Sequence, residues 1–278
     1  DRVDLSLILW AIVIVMALQP MLRQRMLETM RQRQISQIER QRKSRVLLLV
    51  HREERVSFLG LPLVRYIDMD DSEQVMRAIQ MTDPEMPLDI VLHTPGGLFL
   101  AAMQIARALT GHKGKVTAFV PHHAMSGGTL IALAADEIVM CRHSVLGPVD
   151  AEGEGMPAVS LLKVVKEKPI AEIDDKTLVL ADVAAKGLAQ VERAVAELLG
   201  DHMAPERAAD LAKTLSSGRW THDYAITAKE ATELGLPVSL EMPDDVLELV
   251  SLYPQPIRTI PSVEYLPYPH PQKSGVKR

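Results

Sequence analysis

Hydrophobic and polar positions divide the chain into regimes of different period. The first is a nearly unbroken apolar run from Leu5 to Leu18, extendable through Gln19 and Pro20 to Leu22. As a helix rising about 1.5 Å per residue the extended run reaches roughly 27 Å, close to the thickness of a bilayer core. It predicts a transmembrane helix over residues 1–22. A buried core helix or the apolar centre of a signal peptide would have the same look, but no small-x-small cleavage pattern follows. The next segment, 23–45, carries Arg23, Arg25, Arg31, Arg33, Arg40, Arg42, Lys43 and Arg45 against Glu28 and Glu39. It reads as a basic juxtamembrane helix or stalk, with Met26, Leu27, Met30, Ile35 and Ile38 as a thin apolar stripe suited to a neighbouring chain or to anionic lipid. Basic residues flanking a span stay in the cytoplasm, so a single pass with the main domain on the cytoplasmic side is expected.

From 46 to 250 the pattern alternates. The runs "RVLLLVH" and "LDIVLHTPGG" have the continuous apolar character of buried strands, and "LFLAAMQIARALTG" follows at helical spacing. "KVTAFVP", "SGGTLIALAAD" and "DEIVMC" then supply strand, helix and strand. Strands separated by helices predict a parallel sheet with right-handed crossovers, and ligands of such sheets sit beyond the carboxyl ends of the strands. Two turns lie there, "HTPGG" and "PHHAMSGG". Further on, a long amphipathic helix is expected over Thr177 to Leu199, a second near Pro205 to Leu215, and a third in "ITAKEATELG" ending at Gly235. The stretch 251–278 is proline-rich and predicts an extended C-terminal tail.

Composition narrows the chemistry. Of 278 residues 47% are hydrophobic and only 4% aromatic, so the core is aliphatic, and a net charge of −5 gives no reason to expect nucleic acid. One cysteine, Cys141, excludes an internal disulfide framework and any multi-cysteine metal site. No metal is expected.

Ser126 is the candidate nucleophile. A serine hydroxyl needs exposure, a base and a place for the oxyanion formed when a carbonyl is attacked. It opens an apolar helix, where the amides of Gly127 and Gly128 have no intrahelical acceptor. A plain helix cap would also explain a serine there. Gly96 and Gly97 in "TPGG" place a second set of unshielded amides after a strand and before a helix, although a tight turn alone could require them.

"HTPGG", followed some thirty residues later by "MSGGTLIALAADEIVMCRHSVLGPVD", resembles the signal peptide peptidase A branch of the Clp-protease/crotonase fold, and most of all the membrane-anchored serine dehydrogenase proteinase family. The resemblance spans roughly 45–250 and includes "SGRWTHDYAITAKEATELGLP". It implies an α/β spiral of ββα units with an N-terminal transmembrane helix, a serine peptidase domain over 46–250, no cofactor, and a homo-oligomeric ring acting on peptides or membrane-protein fragments beside the lipid bilayer. Ser126 would be the nucleophile, with the amides of Gly96 or Gly97 and of Gly127 as the oxyanion hole.

Clp-type proteases have their histidine about twenty-five residues after the serine, where this chain has Val149 and Asp150. Signal peptide peptidases A use instead a desolvated lysine forty to fifty residues downstream. That window offers Lys163, Lys166, Lys168 and Lys176, and the expectation falls on Lys168, then Lys166. Asp150 could orient the base or shape the pocket. His123, with His122 and His143, could shuttle a proton, and His222 with Asp223 is a further pair. A non-catalytic membrane scaffold, or a crotonase-like acyl-CoA enzyme with a carboxylate base, are the competing functions.

Overall fold

The computed structural model describes residues 5–51, 66–153 and 155–253, with side chains described from residue 18 onward, except those of residues 20 and 153. The apolar run behind the expected transmembrane helix, Leu5 to Leu18, therefore falls almost wholly outside the described side chains, as does most of the tail expected over 251–278. Among the described residues no helix is long and apolar enough to cross a membrane.

The chain builds α1 (Leu5–Arg42), β1 (Arg45–Val50), α2 (Met69–Gln80), β2 (Leu88–His93), α3 (Phe99–Thr110), β3 (Val116–Val120), β4 (His123–Ala124), α4 (Gly127–Leu133), β5 (Glu137–Met140) and β6 (Val145–Leu146). A hairpin follows, β7 (Glu152–Gly153) with β8 (Met156–Pro157), and then α5 (Ala158–Glu167), α6 (Asp175–Gly200), α7 (Pro205–Ser216), β9 (Ile226–Thr227), α8 (Ala228–Glu233), β10 (Val238–Ser239) and α9 (Asp244–Ser251). Five strands form a wholly parallel sheet in the order β1-β2-β3-β5-β10. Beyond its carboxyl edge a small sheet, β4-β6-β9, joins β4 to β6 in parallel and β6 to β9 antiparallel.

Period-two alternation decides which side chains go where. Leu88, Ile90 and Leu92 of β2, with Val116, Ala118 and Val120 of β3, face a core closed by α3, α4, α6 and α7. Val91, Phe119 and Val139 face the other way, onto Ile38 of α1 and Val246, Leu249 and Val250 of α9. Both faces are covered, which is why these strands read as continuous apolar runs.

The anchor and stalk expected as separate segments are one continuous helix, and its last turns are bolted to the sheet. Asp89, 2% exposed, projects from β2 toward α1. Its carboxylate accepts bonds from the Arg42 guanidinium and, at 2.6 Å, from Ser44 Oγ. The Arg42 guanidinium also lies over the Phe119 ring, 4.8 Å from its centroid. Higher up, Arg31 stacks on Tyr253, and Gln34 donates to Asp245 O and Glu248 Oε2 on α9. Asp89 is buried whereas Arg42 is 35% exposed, so Arg42→Ala, which removes the cation and leaves the Ser44 bond, is expected to destabilise the fold by about 2 kcal/mol. Urea unfolding of the solubilised protein measures this, and an unchanged midpoint would show the clamp to be idle.

Candidate active site

The two glycine turns meet over the end of the sheet. Ile67 pairs with Gly97 and Thr94 with Ala124 in isolated parallel bridges. Ile67 N–H donates to Gly96 O at 2.8 Å, and Leu98 N–H donates to Ile67 O at 2.8 Å. These contacts leave no room for side chains. A Cβ on Gly97 would lie 2.3 Å from both the N and the O of Ile67, and one on Gly96 would lie 2.9 Å from Met125 O and from Ser126 Cβ. Gly96 also has a φ of +110°, a region that non-glycine residues avoid.

Ser126 sits against that first turn with φ +49° and ψ −111°. A non-glycine residue held there is strained by about 1 to 3 kcal/mol, and such strain marks positions fixed by their surroundings. The fixings are visible. Met125 N–H donates to Thr94 O at 3.0 Å, Gly128 N–H to Met125 O at 2.7 Å, and Leu130 N–H to Ser126 O at 3.1 Å. Thr129, wholly buried, donates its hydroxyl to Ala124 O or Gly147 O and accepts the Gly147 N–H. The Ser126 side chain makes no capping hydrogen bond to α4, so the plain N-cap reading of this serine fails.

Gly96 and Gly97 part company here. Gly96 N–H is committed to Thr94 Oγ1 at 3.2 Å, whereas Gly97 N–H and Gly127 N–H have no acceptor among the described residues. A Cβ on Gly127 would lie 3.5 Å from Gly97 N, so the two spare amides are neighbours beside Ser126.

A cleft of about 490 Å³ opens on this pair. Leu98, Phe99, Leu130, Val149 and Val191 give it an apolar wall, and Ser126, Asp150, Glu152 and His222 bring its polar groups. Asp150 is the buried anchor, its side chain 5% exposed, and it accepts a 2.7 Å bond from His222 Nδ1. Because a carboxylate only accepts, Nδ1 carries the proton and the lone pair of the neutral ring is at Nε2. The bond to Asp150 holds the His222 pKa above its ordinary 6.5, partial burial opposes this, and Glu152, 3.7 Å from Nδ1, raises it further. Asp150, Glu152 and His222 each present a ligand atom within 4.8 Å of the others, a nitrogen and two oxygens that could also hold a divalent cation. Helical spacing in the sequence does not reveal such a set, because its members lie on different elements.

The expected lysines lie elsewhere. Lys166 is exposed in the last turn of α5, and exposed Lys168 caps that helix and donates Nζ to Glu172 O at 3.0 Å. Neither lines the cleft. His123 is half-buried on β4 with its ring 4.4 Å from that of His93, outside the cleft. Burial, then the charge of His122, lowers its pKa. Asp150 was legible as a supporting residue. Its pairing with His222, seventy-two positions later, was not, since the sequence offers the adjacent Asp223 as the obvious partner.

A model of the ClpP-like SDH-type serine proteinases matches residues 2–278. The chain belongs to this family. It is therefore a serine peptidase, a hydrolase, which favours that reading over the scaffold and acyl-CoA alternatives. Two proteins of Methanocaldococcus jannaschii, MJ0137 and MJ1495, are 44% and 45% identical to it over 272 and 274 residues, covering 98% and 99% of this chain and 95% and 93% of theirs. Among solved structures, a variant of 1510-N, described as a membrane-bound stomatin-specific protease, is similar with TM-score 0.44 at 22% identity, over 66% of this chain and 79% of its own.

The Asp150 contact has a direct solution signature. A proton NMR titration should place the His222 imidazole above 6.5, and Asp150→Asn should bring it down, because the neutral amide no longer favours the charged ring. Sign follows from linkage: a raised histidine pKa contributes stability that is fully present below the unfolded value and is lost as pH rises through the folded one. An His222 titrating below 6.5 would rule out the contact.

Proposed function

We propose that the protein is a membrane-anchored serine peptidase in which Ser126 attacks the scissile carbonyl, His222 takes its proton, and Asp150 holds the imidazole. One observation carries this reading: a serine hydroxyl not used as a helix cap shares a cleft with an imidazole whose Nδ1 is bound to a buried carboxylate. The tautomer fixed by Asp150 puts the accepting lone pair at Nε2, the role a general base must fill. As Oγ bonds to the carbonyl carbon, its proton passes to Nε2 and the carbonyl oxygen becomes an oxyanion, which the N–H groups of Gly97 and Gly127 stabilise. Collapse breaks the C–N bond, and the amine leaves with the proton from Nε2. Water, deprotonated by the same nitrogen, then hydrolyses the acyl-enzyme.

The apolar wall suits an apolar side chain of a peptide or a membrane-protein fragment. Membrane attachment rests on the run from Leu5 to Leu18 followed by the basic segment, and ring assembly on the family resemblance. The Ser-Lys dyad is the rival for the base. A lysine base must be desolvated to be neutral, and exposed Lys168 and Lys166 lack that burial in this structure.

Labelling by a fluorophosphonate of the detergent-solubilised protein decides between them. Ser126→Ala should abolish labelling, His222→Ala should slow it by about 10³-fold or more, and Lys168→Ala and Lys166→Ala should leave it unchanged. Loss of labelling in a folded lysine variant with retention in His222→Ala would establish the dyad instead. Membrane attachment has its own test: deletion of residues 1–22 should move the protein from carbonate-washed membranes to the soluble fraction, and retention in the membrane would refute the anchor.

A further inference from the structure

An oxyanion donor is useful only if the peptide that bears it cannot turn. In a trans peptide the C=O and N–H point in opposite directions, so whatever grips the Gly96 carbonyl aims the Gly97 N–H. Ile67 grips that carbonyl from one side. The peptide before it belongs to Thr94, which is fully buried where β2 runs out toward the turn. Its Oγ1 accepts the Gly96 N–H at 3.2 Å and lies 3.4 Å from Gly96 O. Its main chain serves the second turn: Thr94 N–H donates to His123 O at 3.2 Å, and Thr94 O accepts from Met125 N–H. One residue thus binds the oxyanion turn by its side chain and the nucleophile turn by its backbone.

Behind Thr94 stands a polar line. His51 Nδ1 is 2.9 Å from Thr94 Oγ1, and His51 Nε2 is 3.1 Å from Asp71 Oδ2. Asp71 is itself fixed, since the same oxygen accepts the Asp68 N–H at 3.0 Å in the capping box that starts α2. With the imidazole neutral, the carboxylate demands a proton on Nε2. Nδ1 then accepts from the Thr94 hydroxyl, whose oxygen keeps a lone pair for Gly96 N–H. The donors point one way, from Gly96 through Thr94 and His51 to Asp71, and such a chain is strengthened by mutual polarisation. Neither His51 nor Asp71 lines the Ser126 cleft.

We infer that Thr94, held by His51 and Asp71, is a positioning residue that anchors Gly96 by its N–H, one peptide before the carbonyl that Ile67 grips, and so steadies the turn that presents Gly97 N–H to the oxyanion hole. The inference rests on the peptidase reading, with Gly97 as a donor. A valine would fill the same volume, so a purely packing role would tolerate Thr94→Val.

The test uses the full chain in detergent with a fluorophosphonate, reading the inactivation rate and the probe's binding constant separately, together with amide hydrogen exchange over residues 94–99. Thr94→Val should lower the inactivation rate about tenfold to a hundredfold, as partial loss of an oxyanion donor does, with binding of the probe unchanged and exchange at Gly96 faster. Thr94→Ser, which keeps the hydroxyl, should restore both. A wild-type rate in folded Thr94→Val, or an equal loss in Thr94→Ser, overturns the proposal. Should Thr94→Val fail to fold, Asp71→Ala at its partly exposed site should lower the rate several-fold, and a wild-type rate there overturns the relay. An unsubstituted protein that takes no probe would bring down the peptidase reading and the oxyanion role with it, whereas exchange still reports whether Thr94 holds the turn.

Discussion

Everything at the site depends on two backbone turns approaching closer than any side chain allows. Gly96 backs onto Met125 and Ser126, and a Cβ on Gly97 would collide with the backbone of Ile67. The approach sets the positive φ of Ser126, places the spare amides of Gly97 and Gly127 side by side, and makes the cleft a property of the main chain. Side chains added later in the sequence need only reach it. The parallel sheet supplies the frame, since β2 and β3 end together and launch both turns from the same edge.

The electrostatics of the cleft show a tension between orientation and activity. Under the proposed mechanism, Asp150 orients His222 and stabilises its charged form, which favours the imidazolium that follows proton transfer but reduces the fraction of free base beforehand. Glu152 adds to the second effect without supplying the hydrogen bond. Partial burial works against both carboxylates. Their balance leaves the His222 pKa above its ordinary value. The geometry of an Asp-held imidazole therefore fixes direction, and the second carboxylate tunes availability.

Much of this was legible in the residues. Apolar runs located β1, β2, β3 and β5, and the periodic stretches became α3, α6 and α7 within a few residues of their expected limits. Ser126, Gly97 and Gly127 were legible because their chemistry is local: glycine pairs and a serine at a strand-to-helix turn have few uses. His222 was not, because its meaning comes from Asp150, and the two meet only after α5, α6 and α7 fold back over the sheet. Under the proposed mechanism, distance along the chain points the other way. Lys168 has the separation from Ser126 that a dyad would need, yet α5 ends with its charge in solvent and bonded to its own loop. Thr94 reads as an ordinary strand residue, and only its neighbours give its hydroxyl a purpose.

The long first helix adds a mechanical constraint. With Arg42 locked to buried Asp89, Ile38 packed into the sheet's second face and Gln34 bonded to α9, α1 moves with the domain as one body over its last turns. Helix continues without a break from there toward the apolar run. From Ile38 back to Leu18 is about 30 Å of helix at 1.5 Å per residue, a stiff spacer where a flexible tether would have let the cleft point anywhere. Under the proposed anchoring, the cleft is held at a set height and a set tilt to the bilayer. Substrates whose cleavable segment emerges at that height would be favoured over equally good sequences in free solution, and the selection would come from geometry rather than from the walls of the pocket.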